Sequence, residues 1–232
     1  MSATLASVVL PVHNQSDHIA AVIEEYVVAL ARLDFPYELL VVVNGRRTDR
    51  SLEIYRELEA RHPQIRTLCI EAGGWGAAVR AGLAEARGDL LCYTNSARTA
   101  ASDLLLMLLY GSIHPDSVIK ANRKIRENWK RRLGSLAYNL ECRALFDLPY
   151  WDINGTPKVF SRSLAPLTQL SRDDDLIDLE FNVICKREGY PMLEVPIFSA
   201  TRRSGRSTTR MGSAFRMFAG ALRLKREMGP RS

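Results

Sequence analysis

Apolar and polar positions fall into two regimes along the chain. In the first, short β-branched runs alternate with stretches of helical period. ASVVLPV (6–12) is such a run, ended by Pro11, and SDHIAAVIEEYVVALARL follows as a helix with Ser16 or Asp17 as its cap. YELLVVVN (37–44) is apolar without alternation, which predicts a strand covered on both faces. DRSLEIYRELEARH, QIRTLCIEA, GWGAAVRAGLAEAR and GDLLCYT continue as helix, strand, helix and strand. This βαβαβαβ order predicts an α/β fold around a largely parallel sheet flanked by helices. Ligands of such sheets bind beyond the carboxyl ends of the strands, which places the site just after Val12, Val43, Ala72 and Thr94.

The second regime is less regular. SDLLLMLLYG reads as a helix, SVIKANR as a strand and WKRRLGSLAYNLECRALF as a long amphipathic helix. DINGTPKVFSR passes through a turn into a strand, LIDLEFNVICKREG is a helix closed by Gly189, and PMLEVPIFS is a strand. The tail MGSAFRMFAGALRLKRE is helical, with Met211, Phe215, Phe218 and Leu222 on one stripe. We expect one domain over residues 1–210 and a basic amphipathic extension over 211–232.

Composition narrows this picture modestly. A hydrophobic share of 47% and a charged share of 25% describe an ordinary globular chain of 232 residues. The run DLLLMLLYG falls far short of the roughly 20 residues of a membrane span, and the N-terminus has no charged leader. Cys69, Cys92, Cys142 and Cys185 are widely separated and read as reduced core residues, which points to the cytoplasm. Charge is more telling. Residues 201–232 hold nine Lys/Arg and one Glu, and 120–132 hold seven basic residues and one acidic. Such patches suit partners bearing phosphate, and solvated helix faces are the other reading.

At the strand ends the residues resemble a known family. SVVLPVHNQSDHI resembles the opening PxYNE segment of family 2 glycosyltransferases of the GT-A fold, and LLVVVNGRRTDRSLEI their second strand and DDGSTDGT loop. GGWGAAVRAGLAEARGDLLCYT is similar to their GxGxAxxxGxxxAxGD segment, which leads into an Asp-X-Asp strand. DINGTPKVFSR, DLEFNVICKREGYPMLEVPI and RRSGRS resemble later blocks of the dolichol-phosphate mannose synthase branch. Each block is weak alone; their order over residues 7–210 is specific.

The resemblance implies roles. Pro11, His13 and Asn14 fall where the family meets base and ribose, although a strand-end turn pair is the plain alternative for the latter two. Asn44, before Gly45, replaces an acid that reads the base; an amide can still hydrogen-bond a base edge. Arg46 and Arg47 are unusual there and either meet phosphate or lie exposed. Gly74 and Gly76 let backbone approach the donor, and a helix N-terminus favours phosphate. Asp178 and Glu180 match an acidic pair near the acceptor; residues two apart on a helix do not share a face, so Asp178 is the acceptor-side acid. Helix N-terminal charge is the other reading of both. Arg123, Arg126, Arg132, Arg203 and Ser207 match acceptor- or phosphate-binding positions.

The largest departure is Asn95-Ser96-Ala97, which stands where the family has Asp-X-Asp. The family usually uses Mg²⁺ or Mn²⁺, but Asn95 and Ser96 are poor neutral ligands and Ala97 is none, so no metal is assigned. Arg98, beside the strand end, is an alternative source of positive charge for the departing diphosphate. The resemblance thus implies an inverting transfer from a nucleoside-diphosphate sugar to an acceptor such as a polyprenyl phosphate. The place implied is the cytoplasmic face of the cell membrane, with peripheral contact to anionic lipid, and a homo-oligomer or membrane partner is compatible. The tail stripe instead packs on the domain or on a second subunit if it does not meet lipid. A non-catalytic nucleotide-sugar or lipid-phosphate binding module is the alternative. Nucleic acid is not an expected partner, because no stacking platform or helix-turn-helix pattern is present.

Overall fold

A computed structural model describes residues 5–46, 48–124, 129–198 and 211–229, without the side chains of 129–132, 211–216 and 228. The elements run β1 (Ala6–Val12), α1 (Ile19–Leu30), β2 (Tyr37–Asn44), α2 (Ser51–Arg61), β3 (Ile65–Ile70), α3 (Trp75–Glu85) and β4 (Leu90–Tyr93). They continue with α4 (Ala101–Ile113), β5 (Val118–Arg123), α5 (Trp129–Phe146), β6 (Lys158–Ser161), a short 3-10 turn (Ala165–Thr168), α6 (Ile177–Glu188), β7 (Met192–Ile197) and α7 (Met211–Met228). One seven-stranded sheet has the order β3-β2-β1-β4-β6-β5-β7. Only β6 runs against its neighbours, β4 and β5; all other pairs are parallel. The hydrophobic pattern assigned no direction to β5, β6 or β7, and of these β6 runs antiparallel.

The continuous apolar runs are explained by cover on both faces. Val8, Leu10 and Val12 of β1 with Leu39, Val41 and Val43 of β2 pack under α1, α2 and α4. Val9, Leu40 and Val42 pack on the other face against Ala78, Val79 and Leu83 of α3 and Ile177, Phe181 and Cys185 of α6. A third cluster joins α5, α6 and α7 through Tyr138, Cys142, Leu179, Val183, Ala221 and Leu224. Each fully buried aliphatic side chain stabilises by about 1.5–3 kcal/mol, so the two sheet faces dominate the core.

Four expectations need correction. Cys69, read as a core residue with the other three cysteines, is exposed because β3 is an edge strand; Cys92, Cys142 and Cys185 are buried. Helix α1 starts at Ile19, after His18, and neither Ser16 nor Asp17 caps it; the preceding turn is instead tied down by Ser16 N–H on Asp49 Oδ2 (2.9 Å). Pro11 lies inside β1 and does not end it. Val9 carbonyl accepts Thr94 N–H, so alternate residues of β1 face β4; two residues on, Pro11 faces the same side beyond the end of β4, where no ladder bond is missed. On α7 the packed face runs through Met217, Phe218, Ala221 and Leu224, while Leu222 is 47% exposed. The expected stripe was therefore rotated, and its part from Met217 onward that is described packs on α5 and α6. Met211 and Phe215 lie outside the described side chains.

Candidate functional site

The carboxyl ends of β1, β2 and β3 meet in one corner, and hydrogen bonds lace them together. Asn44, buried at the end of β2, donates from Nδ2 to Val12 carbonyl (2.9 Å) and accepts Gly74 N–H on Oδ1 (3.2 Å). His13 Nδ1 meets Asn44 carbonyl at 2.7 Å, and Asn14 Nδ2 lies 3.2 Å from His13 Nε2, which together assign the Nδ1–H tautomer. Asn14 takes a left-handed φ of 48°, donates to Arg46 carbonyl (3.3 Å) and accepts Thr48 N–H (3.0 Å). Gly45, at φ +70°, donates to Ala72 carbonyl (3.2 Å). His13, Asn14, Asn44, Gly45 and Gly74 are thus brought together. The Asn44 amide faces backbone of its own chain, a structural use that sequence alone did not disclose.

Gly74 and Gly76 are small because another strand of backbone lies against them. A Cβ on Gly74 would stand 2.5 Å from Asp173 carbonyl, and one on Gly76 2.3 Å from Arg172 carbonyl. Ala77 N–H, in the first turn of α3, donates to Asp173 carbonyl at 3.0 Å. Part of the helix N-terminus expected to face phosphate is therefore covered by residues 172–174. Glu180 explains why that segment stays there. Its carboxylate accepts Ser171 N–H (3.0 Å), Arg172 N–H (3.0 Å) and the Ser171 hydroxyl. Glu180, buried, is committed to this loop.

At the end of β4 the position of the expected metal motif holds no carboxylate. Asn95 Oδ1 accepts Ala97 N–H (3.0 Å), and Ser96, 1% exposed, donates its hydroxyl to Gln15 Oε1 (2.6 Å). Thr94 and Thr99 hydroxyls pair at 2.7 Å, and Arg98 N–H reaches Asn95 carbonyl. Among the described residues no group of three His, Cys, Asp or Glu stands together to ligate a metal. Two neutral oxygens already used within the chain do not fit a hard divalent cation, which takes six or more oxygens and usually carboxylates. No step of the chemistry below is routed through a metal.

The acids and bases gather instead one strand further along. Tyr93, Lys158, Lys120 and Glu194 stand directly opposite one another across β4, β6, β5 and β7. Lys120 and Lys158 are both fully buried. Lys120 Nζ pairs with Glu194 Oε1 (2.7 Å) and also donates to the carbonyls of Trp151 and Asp152. Arg123, an expected phosphate ligand, is held bidentately by Asp152 at 2.7 Å for each bond. Lys158 Nζ pairs with Asp178 Oδ1, above the rings of Tyr93 and Phe181 at 5.3 and 5.6 Å. Burial pulls both lysines below their ordinary range while Glu194 and Asp178 hold them up.

Asp178 sits in the first turn of α6, where the helix dipole favours a carboxylate. It receives three donors: Lys158 Nζ and Tyr93 OH (3.0 Å) on Oδ1, and Trp75 Nε1 (3.2 Å) on Oδ2. Burial, and then the Asp178 charge, drive the Tyr93 phenol well above its usual range, so it stays a donor. Trp75 begins α3 beside Gly74, and Tyr93 ends β4 beside Thr94, so this acid is linked to both corners of the ligand edge. Of the expected residues, Arg126, Arg203, Ser207 and Arg47 lie outside the described residues, as does the side chain of Arg132. Arg46 is exposed and Arg98 half-buried. Trp75, Tyr93, Lys120, Lys158 and Glu194 were missed. For Lys120, Lys158 and Glu194 the one signal was a charge inside each of the strand patterns VIKANR, KVFS and MLEVPI; Trp75 and Tyr93 gave none.

Residues 7–165 match the family described as Glycosyl transferase family 2. The chain belongs to glycosyl transferase family 2. Its relatives within the family include a dolichyl-phosphate beta-glucosyltransferase of Trichomonas vaginalis, 37% identical over 89 residues, which span 36% of this chain and 26% of that protein. An undecaprenyl-phosphate 4-deoxy-4-formamido-L-arabinose transferase of Edwardsiella ictaluri is 28% identical over 137 residues, 57% of this chain and 42% of that protein. The chain thus spans less than half the length of these relatives. Among solved structures, glucosyl-3-phosphoglycerate synthase of Mycobacterium tuberculosis, in complex with Mg²⁺ and uridine diphosphate, aligns with a TM-score of 0.72. It is 18% identical, with all of this chain and 82% of that one covered. That likeness establishes the GT-A fold of this family 2 member.

Proposed function

We propose that the chain transfers a sugar, with inversion, from a nucleoside-diphosphate sugar to a polyprenyl phosphate. Family membership supports the transfer, and the two relatives, a dolichyl-phosphate and an undecaprenyl-phosphate transferase, support the acceptor class. The observation that carries the acceptor reading is the triple donation to Asp178. Asp178 is buried, and both of its oxygens already accept from groups of this chain, so neither is presented to an acceptor hydroxyl as a general base would be. A sugar hydroxyl needs a base to become a nucleophile; a phosphate monoester is already ionised near neutrality. In the reaction a phosphate oxygen of the acceptor forms a bond to the anomeric carbon as the bond to the donor's diphosphate breaks. The diphosphate leaves with the electron pair. Its charge falls to N–H donors and cations, among which we assign Arg98, just after β4, and Arg46, with Arg47 and Arg203 assigned from their sequence positions alone.

The finer reading of place is contact with an anionic membrane surface at the inner face. Among the described residues no helix is long and apolar enough to cross a membrane. On α5 the leucines 133, 136 and 140 are 59%, 43% and 51% exposed, and Lys130, Arg131 and Arg132 precede them. Apolar side chains flanked by cations suit an anionic interface. Structure removes Lys120 and Arg123 from the basic cluster once counted here, since both are paired inside.

The test is turnover by the full chain with UDP-glucose and a GDP-sugar, undecaprenyl phosphate in detergent, and excess EDTA in one arm. Nucleoside diphosphate should be released only when the lipid phosphate is present, and at the same rate with chelator. Calorimetric binding of donor without any release would make the chain a non-catalytic binding module. Loss of turnover in EDTA would defeat the metal-free transfer alone.

A further inference from the structure

The fully buried Lys158 has no place in the reaction just described, and its surroundings give it one. A buried ion pair is not needed for stability, since apolar residues of similar volume do as well or better. What it supplies is a carboxylate held in one direction. Here the direction is toward two rings from different elements: Trp75 from the start of α3 and Tyr93 from the end of β4, their centroids 6.3 Å apart and edge-on. Lys158 is the first residue of β6, the reversed strand, so it enters the sheet at the carboxyl edge of the parallel strands. It lies opposite Tyr93 in register, and Asp178 reaches it from α6 on the same face. One ammonium therefore fixes one carboxylate, and that carboxylate ties the Gly74–Trp75 turn to the Tyr93–Thr94 strand end.

We propose that Lys158 is a positioning residue for sugar transfer: acting through Asp178, it holds Trp75 and Tyr93 across the edge of the sheet where the donor lies. This rests on the transferase reading above. Lys158 touches no substrate. Its effect is to keep two corners of the donor site at a fixed separation, and a displacement of about 1 Å in such a site costs on the order of 100-fold in rate.

The experiment compares wild type, Lys158→Met, Asp178→Asn, the double variant Lys158→Met/Asp178→Asn, and Trp75→Phe, all in the full chain. Thermal melting is read beside turnover of UDP-glucose and a GDP-sugar with undecaprenyl phosphate, and beside calorimetric binding of both donors. Either single variant at the ion pair strands a buried charge and melts early; the double variant removes both charges and melts close to wild type. The expected result is that this folded double variant still turns over about 100-fold more slowly than wild type. Trp75→Phe leaves the ion pair intact, removes the indole donor and keeps an aromatic ring, though a smaller one, at this partly buried position, so it stays folded and should lose about 10-fold in kcat with donor affinity nearly kept. A folded double variant with wild-type turnover overturns the proposal, as does a fully active Trp75→Phe should the double variant fail to fold. If wild type binds donors without transfer, the same comparison is read on donor affinity. A wild type that neither binds nor transfers removes the transferase reading, and the proposal with it.

Discussion

The two halves of the sheet bury different things. In β1 and β2 the positions from Val8 to Val12 and Leu39 to Val43 are apolar and buried on both faces. The buried charge there is at the amino end, where Glu38 accepts Ser7 hydroxyl (2.6 Å), Arg87 N–H (2.7 Å) and the Arg66 guanidinium (2.7 Å). In β5, β6 and β7 charges lie in the interior at the ligand edge: Lys120 with Glu194, Lys158 with Asp178, and Arg123 with Asp152. Both halves are held by area removed from water, but the second also buries charges that must stay matched. Apolar burial tolerates local change, whereas a stranded buried charge does not. The half that holds Lys158 and Asp178 is thus also the half most sensitive to single substitutions.

Lys120 should reveal this most strongly. Its ammonium is shared between Glu194 and the carbonyls of Trp151 and Asp152, while Glu194 also accepts Trp151 N–H (3.0 Å). Lys120→Met removes the cation and leaves those acceptors facing a thioether. We expect a loss of about 3–5 kcal/mol in urea unfolding, the range for breaking one side of a buried pair. Adding Glu194→Gln should return on the order of 1 kcal/mol or more, the size of direct coupling between touching residues. A single variant within about 0.5 kcal/mol of wild type would mean that the second half does not depend on its pairs.

This contrast also explains what sequence could disclose. YELLVVVN gave Tyr37–Asn44 to the residue, and WKRRLGSLAYNLECRALF gave Trp129–Phe146, because an uninterrupted apolar run and a clean helical period each have one reading. The carboxyl-end rule brought His13, Asn14, Asn44, Gly45 and Gly74 to one corner. It could not show that the Asn44 amide would be spent on Val12 and Gly74, since that depends on how closely three strand ends approach. Lys158 was illegible for a related reason. A lysine in KVFS reads as exposed until it is known that β6 runs backwards between β4 and β5. Only then do Tyr93 and Lys120 lie beside it and Asp178 above.

Glu38 offers a smaller effect with a definite pH dependence. Burial pushes its carboxyl up, but the bonds from Ser7, Arg87 and Arg66 outweigh that and hold it below the ordinary carboxylate range. A carboxylate with a depressed folded pKa adds stability that is fully present above its unfolded value, about 4.3, and lost as pH falls through the folded one. Wild type should exceed Glu38→Gln by about 1–3 kcal/mol at neutral pH, as for hydrogen bonds to a charged group. The gap should close as the solution is made more acidic than the depressed folded value. A gap that persists there would show that Glu38 acts by shape, and would make the first half apolar in behaviour throughout.

The smallest expected effect on the fold belongs to the outer face of α5, which neither half uses. Leu133, Leu136 and Leu140 are largely exposed, whereas Tyr138 and Cys142 on the other side of the same helix are buried against α6 and α7. Replacing Leu133 and Leu140 by Gln should change stability by no more than about 0.5 kcal/mol, the range for surface positions away from special contacts. Binding to vesicles containing anionic lipid should nevertheless fall, because each leucine inserted in a bilayer boundary contributes apolar area at about 25 cal/mol per Å². Sedimentation with such vesicles measures the second effect and urea unfolding the first. Loss of stability without loss of binding would place the leucines in the packing of the domain. Loss of binding alone would show that this face, unlike either half of the sheet, is held in reserve for a surface outside the chain.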